Sequence, residues 1–150
     1  MRVLLDTNIL ARLANRTDLQ YQTARAGLGK LHRAGHELLL TPQNLIEYRS
    51  LATRPVSTNG LGFSVAQTES DIASLEARMT LLPETPDIYP AWKRVVQTLS
   101  VVGRQVYDAR LIAVCQVHRV DHFLTFDVRH FTRLAGAVPP VVTVLDPRTV

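Results

Sequence analysis

Short apolar runs recur along this chain with helical stretches between them, and that alternation restricts the fold more than any other feature. RVLLD (2–6), the run within HELLLTP (36–41), HFLTF (122–126) and VVTV (141–144) read as strands. Between the first two, TNILARLAN sets Leu10, Leu13 and Ala14 at helical spacing, with Thr7 or Asn8 as the cap. DLQYQTARAGLGKLHRA (18–34) predicts an amphipathic helix weakened by Gly27 and Gly29. Thr41-Pro42 marks the cap and first turn of a helix continuing through QNLIEYRSLAT, and RPVSTNGLGFS (54–64) reads as a loop. SVAQTESDIASLEARM should turn Val65, Ile72, Leu75 and Met79 to the core. LLPETP is a break before DIYPAWKRVVQTLSV, a further helix. Residues 106–120 are apolar on nearly every side, which predicts a central buried helix. DVRHFTRLA is a short helix capped by Asp127. Strands separated by helices predict an α/β domain spanning residues 1–150, with a parallel sheet covered on both faces. In such sheets functional groups gather beyond the carboxyl ends of the strands.

Composition narrows the setting. The single cysteine, Cys115, lies in the apolar stretch LIAVCQV, which excludes a disulfide framework and suits a reducing cytoplasm. The opening MRVLLDTNIL has too short an apolar run for a signal peptide or membrane span and meets an acid at once. The net charge is +4, and all basic residues except Lys30 and Lys93 are arginine, whose guanidinium fork matches phosphate oxygens. That charge by itself does not separate a nucleic-acid binder from a soluble surface.

Four acids occupy places that need explaining. Asp6 closes the first strand, and only Arg2 and Arg12 are near it in sequence. Glu47 lies one turn into the helix after the second strand. Asp127 immediately follows HFLTF, and Asp108 opens the apolar helix at YDARLIA. Taken singly, Asp127 reads as a helix cap, Asp108 as a favourable charge at a helix N-terminus and Glu47 as a solvated residue. Taken together, the expected fold would bring all four to one rim. Two like charges about 4 Å apart cost roughly 4 kcal/mol at an effective dielectric near 20, and a few such pairs rival a domain's whole stability of about 5–15 kcal/mol. The arrangement requires a divalent cation or protonated acids. Hard oxygen ligands without a well-placed Cys or His favour Mg²⁺ or Mn²⁺ over Zn²⁺. Asn8 and Thr125 supply short polar groups beside the cluster that either orient it or serve as helix start and strand end.

LLDTNIL near the N-terminus, the acid in NLIEYRS, YDARLIA, and LTFD before a short helix resemble, in this order and spacing, the PIN-domain ribonucleases, among them the small toxins of the VapC type. The resemblance implies an α/β/α sandwich with a central, mainly parallel sheet, and Mg²⁺- or Mn²⁺-dependent cleavage of single-stranded RNA to a 5′-phosphate and a 3′-hydroxyl. Carried over residue by residue, Asp6, Glu47, Asp108 and Asp127 match the acidic quartet. Asp6, Asp108 and Asp127 would hold the metal, and Glu47 would position a water or hold a second ion. Thr125 matches the hydroxyl residue before the last acid, and Tyr107 stands where many relatives have His. A toxin of this kind pairs with a small antitoxin covering the acidic groove. Homodimers are common, and the apolar faces of the 64–80 or 86–101 helices are available for one.

Other features compete for attention. Arg54, Arg104, Arg129 and His130 adjoin the acidic segments and are candidates for RNA phosphates, or plain surface charge. Asn59-Gly60-Leu61-Gly62 offers either a close backbone approach to RNA or a permissive turn. His32/His36 and His118/His122 have the i, i+4 spacing of a zinc site, but Gly35 interrupts the first pair and the second straddles a helix-to-strand junction. Trp92, with Tyr89, Val95 and Val96, reads as core or an oligomer face. Two other functions remain: a catalytically silent module that binds RNA or protein, and a phosphatase with an aspartyl nucleophile. The phosphatase chemistry wants a second acid two places after Asp6, where Asn8 stands.

Overall fold

The computed structural model describes residues Met1–Val150. Five parallel strands form one sheet: β1 (Arg2–Leu5), β2 (Glu37–Leu40), β3 (Thr80–Leu81), β4 (His122–Leu124) and β5 (Thr143–Leu145), in the order β3-β2-β1-β4-β5. The helices are α1 (Thr7–Ala14), α2 (Tyr21–Arg33), α3 (Pro42–Thr53), α4 (Val65–Arg78), α5 (Ile88–Leu99), α6 (Gln105–Val117) and α7 (Val128–Ala135). None is long and apolar enough to cross a membrane.

The central strands are apolar at successive positions because both sheet faces are covered. Val3, Leu5, Leu38 and Leu40 enter a core with α1, α2 and α3. Leu4, Leu39 and Phe123 point the other way, into a core with α5, α6 and α7. The register sets Leu4 beside both Leu39 and Phe123, so one row of side chains crosses three strands on the same face. Along α6, every residue from Leu111 to Gln116 is buried, as an apolar-all-round helix requires.

Several boundaries differ from the sequence reading. The first strand stops at Leu5, and α1 takes Asp6, rather than Thr7 or Asn8, as its cap. The predicted 18–34 helix starts at Tyr21, and the last strand lies two residues later, at Thr143–Leu145. LLPETP is not simply a break: Thr80–Leu81, just before and within it, pairs with Leu39 and Leu40 as the edge strand β3. Val65 does not face the core: it is 57% exposed in the first turn of α4, while Ile72, Leu75 and Met79 pack as expected. The 54–64 segment contains a short 3₁₀ turn, Val56–Thr58. There a Cβ on Gly60 would lie 1.9 Å from the Arg54 carbonyl oxygen. Glycine is demanded by the chain's own fold-back, in which the amides of Leu61 and Phe63 take the Leu51 and Ala52 carbonyls at the end of α3 and that of Gly62 takes the Arg54 carbonyl just beyond it.

Candidate active site

β1 is central and changes neighbours here, with β2 on one side and β4 on the other, which makes the crevice past their carboxyl ends the switch point of the sheet. Asp6 stands in it. Its backbone N–H donates to the Leu124 carbonyl at 2.9 Å, which fixes the end of β1 beside that of β4. Thr125, the next residue after β4, is buried. Its hydroxyl donates to Asp6 Oδ2 at 2.6 Å and accepts the Asp127 amide at 3.0 Å. One hydroxyl therefore joins two of the acids. Asp6 is only 4% exposed and has no cationic partner. Arg2 is engaged by Glu37 and the His118 carbonyl, and Arg12 by Asp18. Burial pushes the Asp6 carboxyl up to about 6. The Thr125 hydroxyl and the Asn8 amide oppose that rise, whereas the charges of Asp108 and Glu47 add to it.

Glu47 is held from two sides. Thr7, at the start of α1, donates to Oε2 at 2.7 Å, and Gln43, one turn earlier on α3, donates to Oε1 at 2.8 Å. The same Gln43 amide reaches the Tyr107 carbonyl at 2.8 Å and so ties α3 to α6. Asn44 locks the start of α3 to the end of β1. Its buried amide donates to the Leu5 carbonyl and to the Thr7 hydroxyl, both at 3.1 Å, while its Oδ1 accepts the Thr41 amide in a capping box.

Asp108 projects from the first turn of α6, where His130 Nε2 of α7 lies 2.9 Å from its Oδ2. Burial raises the Asp108 carboxyl, His130 pulls it down, and Glu47 and Asp127 push it up. Asp127 is exposed at the N-cap position of α7, yet its side chain makes no capping bond. The cap expected of it is absent, and its own amide donates to the Thr125 hydroxyl.

The four acids are thus one electrostatic group: Asp6 responds to Asp108 and Glu47, and Asp108 to Glu47 and Asp127. No three of the side chains close round a common point tightly enough to hold an ion directly. The donor set nevertheless suits a hard divalent ion that retains several waters and takes one or two carboxylates directly. A buried carboxylate lacking any cation is the feature that such an ion would relieve.

Alongside lies a cleft of about 480 Å³, lined by Ile46, Glu47, Arg54, Arg104, Tyr107 and Asp108 among others. Neither the Arg54 nor the Arg104 guanidinium has a carboxylate within ion-pair distance. Asn8 is exposed, with its side-chain amide 3.4 Å from Asp6 Oδ2. Arg129 is exposed on α7 and does not line the cleft, and His130 is committed to Asp108 rather than to solvent. His36 and His118 are likewise engaged, by the amino terminus and the Pro83 carbonyl. Thr7, expected only as a helix cap, together with Gln43 and Asn44, fixes Glu47. The local signs were there: Asn44 at the third position of a Thr-capped helix, and Gln43 one turn before Glu47.

A family model described as "PIN domain" matches residues 3–137. Among curated protein sequences there is no significant match. Solved structures share the fold at low sequence identity. VapBC2 from Rickettsia felis, bound to a DNA fragment from its promoter, superposes with a TM-score of 0.73 at 13% identity, covering 97% of this chain and 98% of that one. VapBC-1 from nontypeable Haemophilus influenzae gives 0.70 at 17% identity, covering 98% of each chain. VapC20 of Mycobacterium tuberculosis, a Sarcin-Ricin loop cleaving toxin, gives 0.66 at 21% identity, covering 91% of this chain and 96% of that one.

Proposed function

The chain belongs to the PIN-domain family, and from that premise we propose that it is a divalent-metal-dependent ribonuclease that hydrolyses phosphodiester bonds of single-stranded RNA and serves as the toxin of a toxin–antitoxin pair. The observation that carries the reading is Asp6: buried, without a cation, at the switch point of the sheet and within the field of Asp108 and Glu47. Buried Asp is seldom left without a charged partner, and capping α1 alone does not require that burial.

In this reading Asp6, Asp108 and Asp127 would hold Mg²⁺ or Mn²⁺, one or two of them directly and the others through its retained waters, and the ion would supply Lewis acidity toward a phosphoryl oxygen and acidify water. The chain's own groups do the rest. Thr125 keeps the Asp6 carboxylate oriented and ties it to Asp127. Glu47, immobilised by Thr7 and Gln43, faces the cleft as the acceptor that orients the attacking water. His130 steadies Asp108. Arg54 and Arg104 line the same cleft and receive backbone phosphates, so the strand is held across the acids despite their charge.

A structural neighbour that is a toxin–antitoxin complex from Klebsiella pneumoniae supports a protein partner for this chain. The test is cleavage of defined single-stranded RNA by the purified chain with Mg²⁺, with Mn²⁺ and with EDTA, beside Asp6→Asn. Metal-dependent cleavage to 5′-phosphate ends, lost in the variant while the fold persists, is expected. Saturable RNA binding without cleavage in any metal would instead make the chain a silent binding module.

A further inference from the structure

On the other side of Tyr107 from the acidic cleft lies a second concavity of about 450 Å³, within the range of small-molecule sites. Its walls include Ile88, Tyr89, Trp92 and Tyr107, with Glu84 and Arg110 joined as an ion pair at its edge. Tyr89 and Trp92 stack, with ring centroids 5.7 Å apart and planes 30° from parallel. The Trp92 indole N–H is already used: it donates to the Val106 carbonyl at 2.7 Å, which fixes the ring. Tyr89 and Tyr107 are nonetheless 63% and 59% exposed. Rigid aromatic faces left open to water are an unusual place to spend apolar surface unless something flat covers them.

Tyr107 borders both concavities, and it immediately precedes Asp108. The cleft on its one side carries unpaired Arg54 and Arg104 beside the acids. A strand whose phosphates lie along those guanidiniums has its bases on the flank, and Tyr107 is the partition past which a base turns. Unpaired bases stack on aromatic rings regardless of their identity. We propose that the Tyr89–Trp92–Tyr107 pocket is a nucleobase subsite that seats one unpaired base of the RNA next to the cleaved bond. This rests on the ribonuclease reading and adds to it a structural reason for single-strand preference: a paired base enters only after unpairing and unstacking, at a cost in free energy. The alternative occupant of such a face, a second copy of this chain, is less favoured because the pocket shares Tyr107 with the arginine-bearing cleft and has the charged Glu84–Arg110 pair in its wall.

Trp92 is the only tryptophan in the chain, so its fluorescence reports this pocket alone. The experiment titrates wild type, Tyr89→Ala and Tyr89→Phe in EDTA with a ten-nucleotide single-stranded RNA, then with a series carrying one abasic site at each position in turn. Saturable quenching by wild type is expected, with affinity reduced about tenfold or more by Tyr89→Ala and retained by Tyr89→Phe. At one position, the abasic site and Tyr89→Ala should be non-additive, which identifies the seated base. Absence of quenching, or equal additivity at all positions, overturns the subsite. So does a Tyr89→Ala variant that turns a dimer into a monomer in sedimentation and leaves RNA affinity unaltered, which would make the pocket a self-association face. Binding in EDTA is independent of chemistry. Quenching without cleavage in Mg²⁺ or Mn²⁺ would therefore sink the ribonuclease reading and leave a base-binding pocket with no bond to cleave beside it, and cleavage without quenching would overturn the subsite and keep that reading.

Discussion

Replacing Asp6 by Asn should stabilise the metal-free protein, although it removes the residue on which activity is proposed to depend. The Asp6 carboxyl is raised from its ordinary 3.8 to about 6. A rise of roughly two pH units corresponds to about 3 kcal/mol between the two protonation states. The sign follows from linkage. Between those two values the folded state binds the proton and the unfolded state does not, so stability is complete below about pH 4 and falls as pH rises through 6. At pH 7.5 the whole penalty is present. Asparagine removes the charge and keeps an oxygen for the Thr125 hydroxyl. It forfeits the acceptor facing the Asn8 amide at 3.4 Å, a long cap contact worth at most about 1 kcal/mol. The net gain is about 2 kcal/mol, or roughly 4–8 °C in Tm for a chain of this length. The assay is thermal and urea unfolding of both proteins in EDTA at pH 7.5 and pH 4.5. The gain should be present at pH 7.5 and largely gone at pH 4.5, where the carboxyl is already protonated in the fold. Adding Mg²⁺ at a hundred times its Kd should stabilise wild type by about 2.7 kcal/mol and the variant far less. A variant less stable than wild type at pH 7.5, or equally more stable at both pH values, would refute the account of Asp6 as an uncompensated buried charge.

Thr125→Val removes the donor to Asp6 and the acceptor of the Asp127 amide. It should cost about 1–3 kcal/mol in urea unfolding and move the Asp6 step in the stability–pH profile above 6. His130→Ala takes away the contact that lowers the Asp108 carboxyl, so the acid limb of the cleavage rate–pH profile should shift to higher pH, with His130→Gln intermediate. Arg54→Ala and Arg104→Ala should each weaken RNA binding and flatten its logarithmic salt dependence by about 0.7, whereas Arg129→Ala, outside the cleft, should leave the slope as it is. Gly60→Ala should destabilise the fold by a few kcal/mol in urea, since its methyl group would overlap the Arg54 carbonyl.

Much of this architecture is written locally. Val3, Leu4 and Leu5 are apolar in succession because the strand is covered on both sides, and that is visible as a run without alternation. Thr41 before Pro42 announces α3, and the acids that end β1 and follow β4 mark the functional end of a parallel sheet. β3 escaped because two exposed residues carry no period; only the open edge of β2 makes Thr80 and Leu81 a strand. Val65 was misplaced because a first-turn residue can satisfy the helical period and still point past the end of the core.

The site divides along the same line. The residue types and their order nominate Asp6, Glu47, Asp108 and Asp127 from sequence. What the sequence does not contain is who faces whom. His130 meets Asp108 across 22 residues, Thr7 meets Glu47 across 40, and Thr125 reaches Asp6 across 119. Those meetings depend on β1 lying between β2 and β4, an order that chain sequence leaves open and packing of the two cores decides. Periodicity and capping act over a few residues, so they set each element. Charge coupling, burial of Asp6 and the choice of Arg54 and Arg104 over Arg129 act through space, and only the folded sheet brings that space into being.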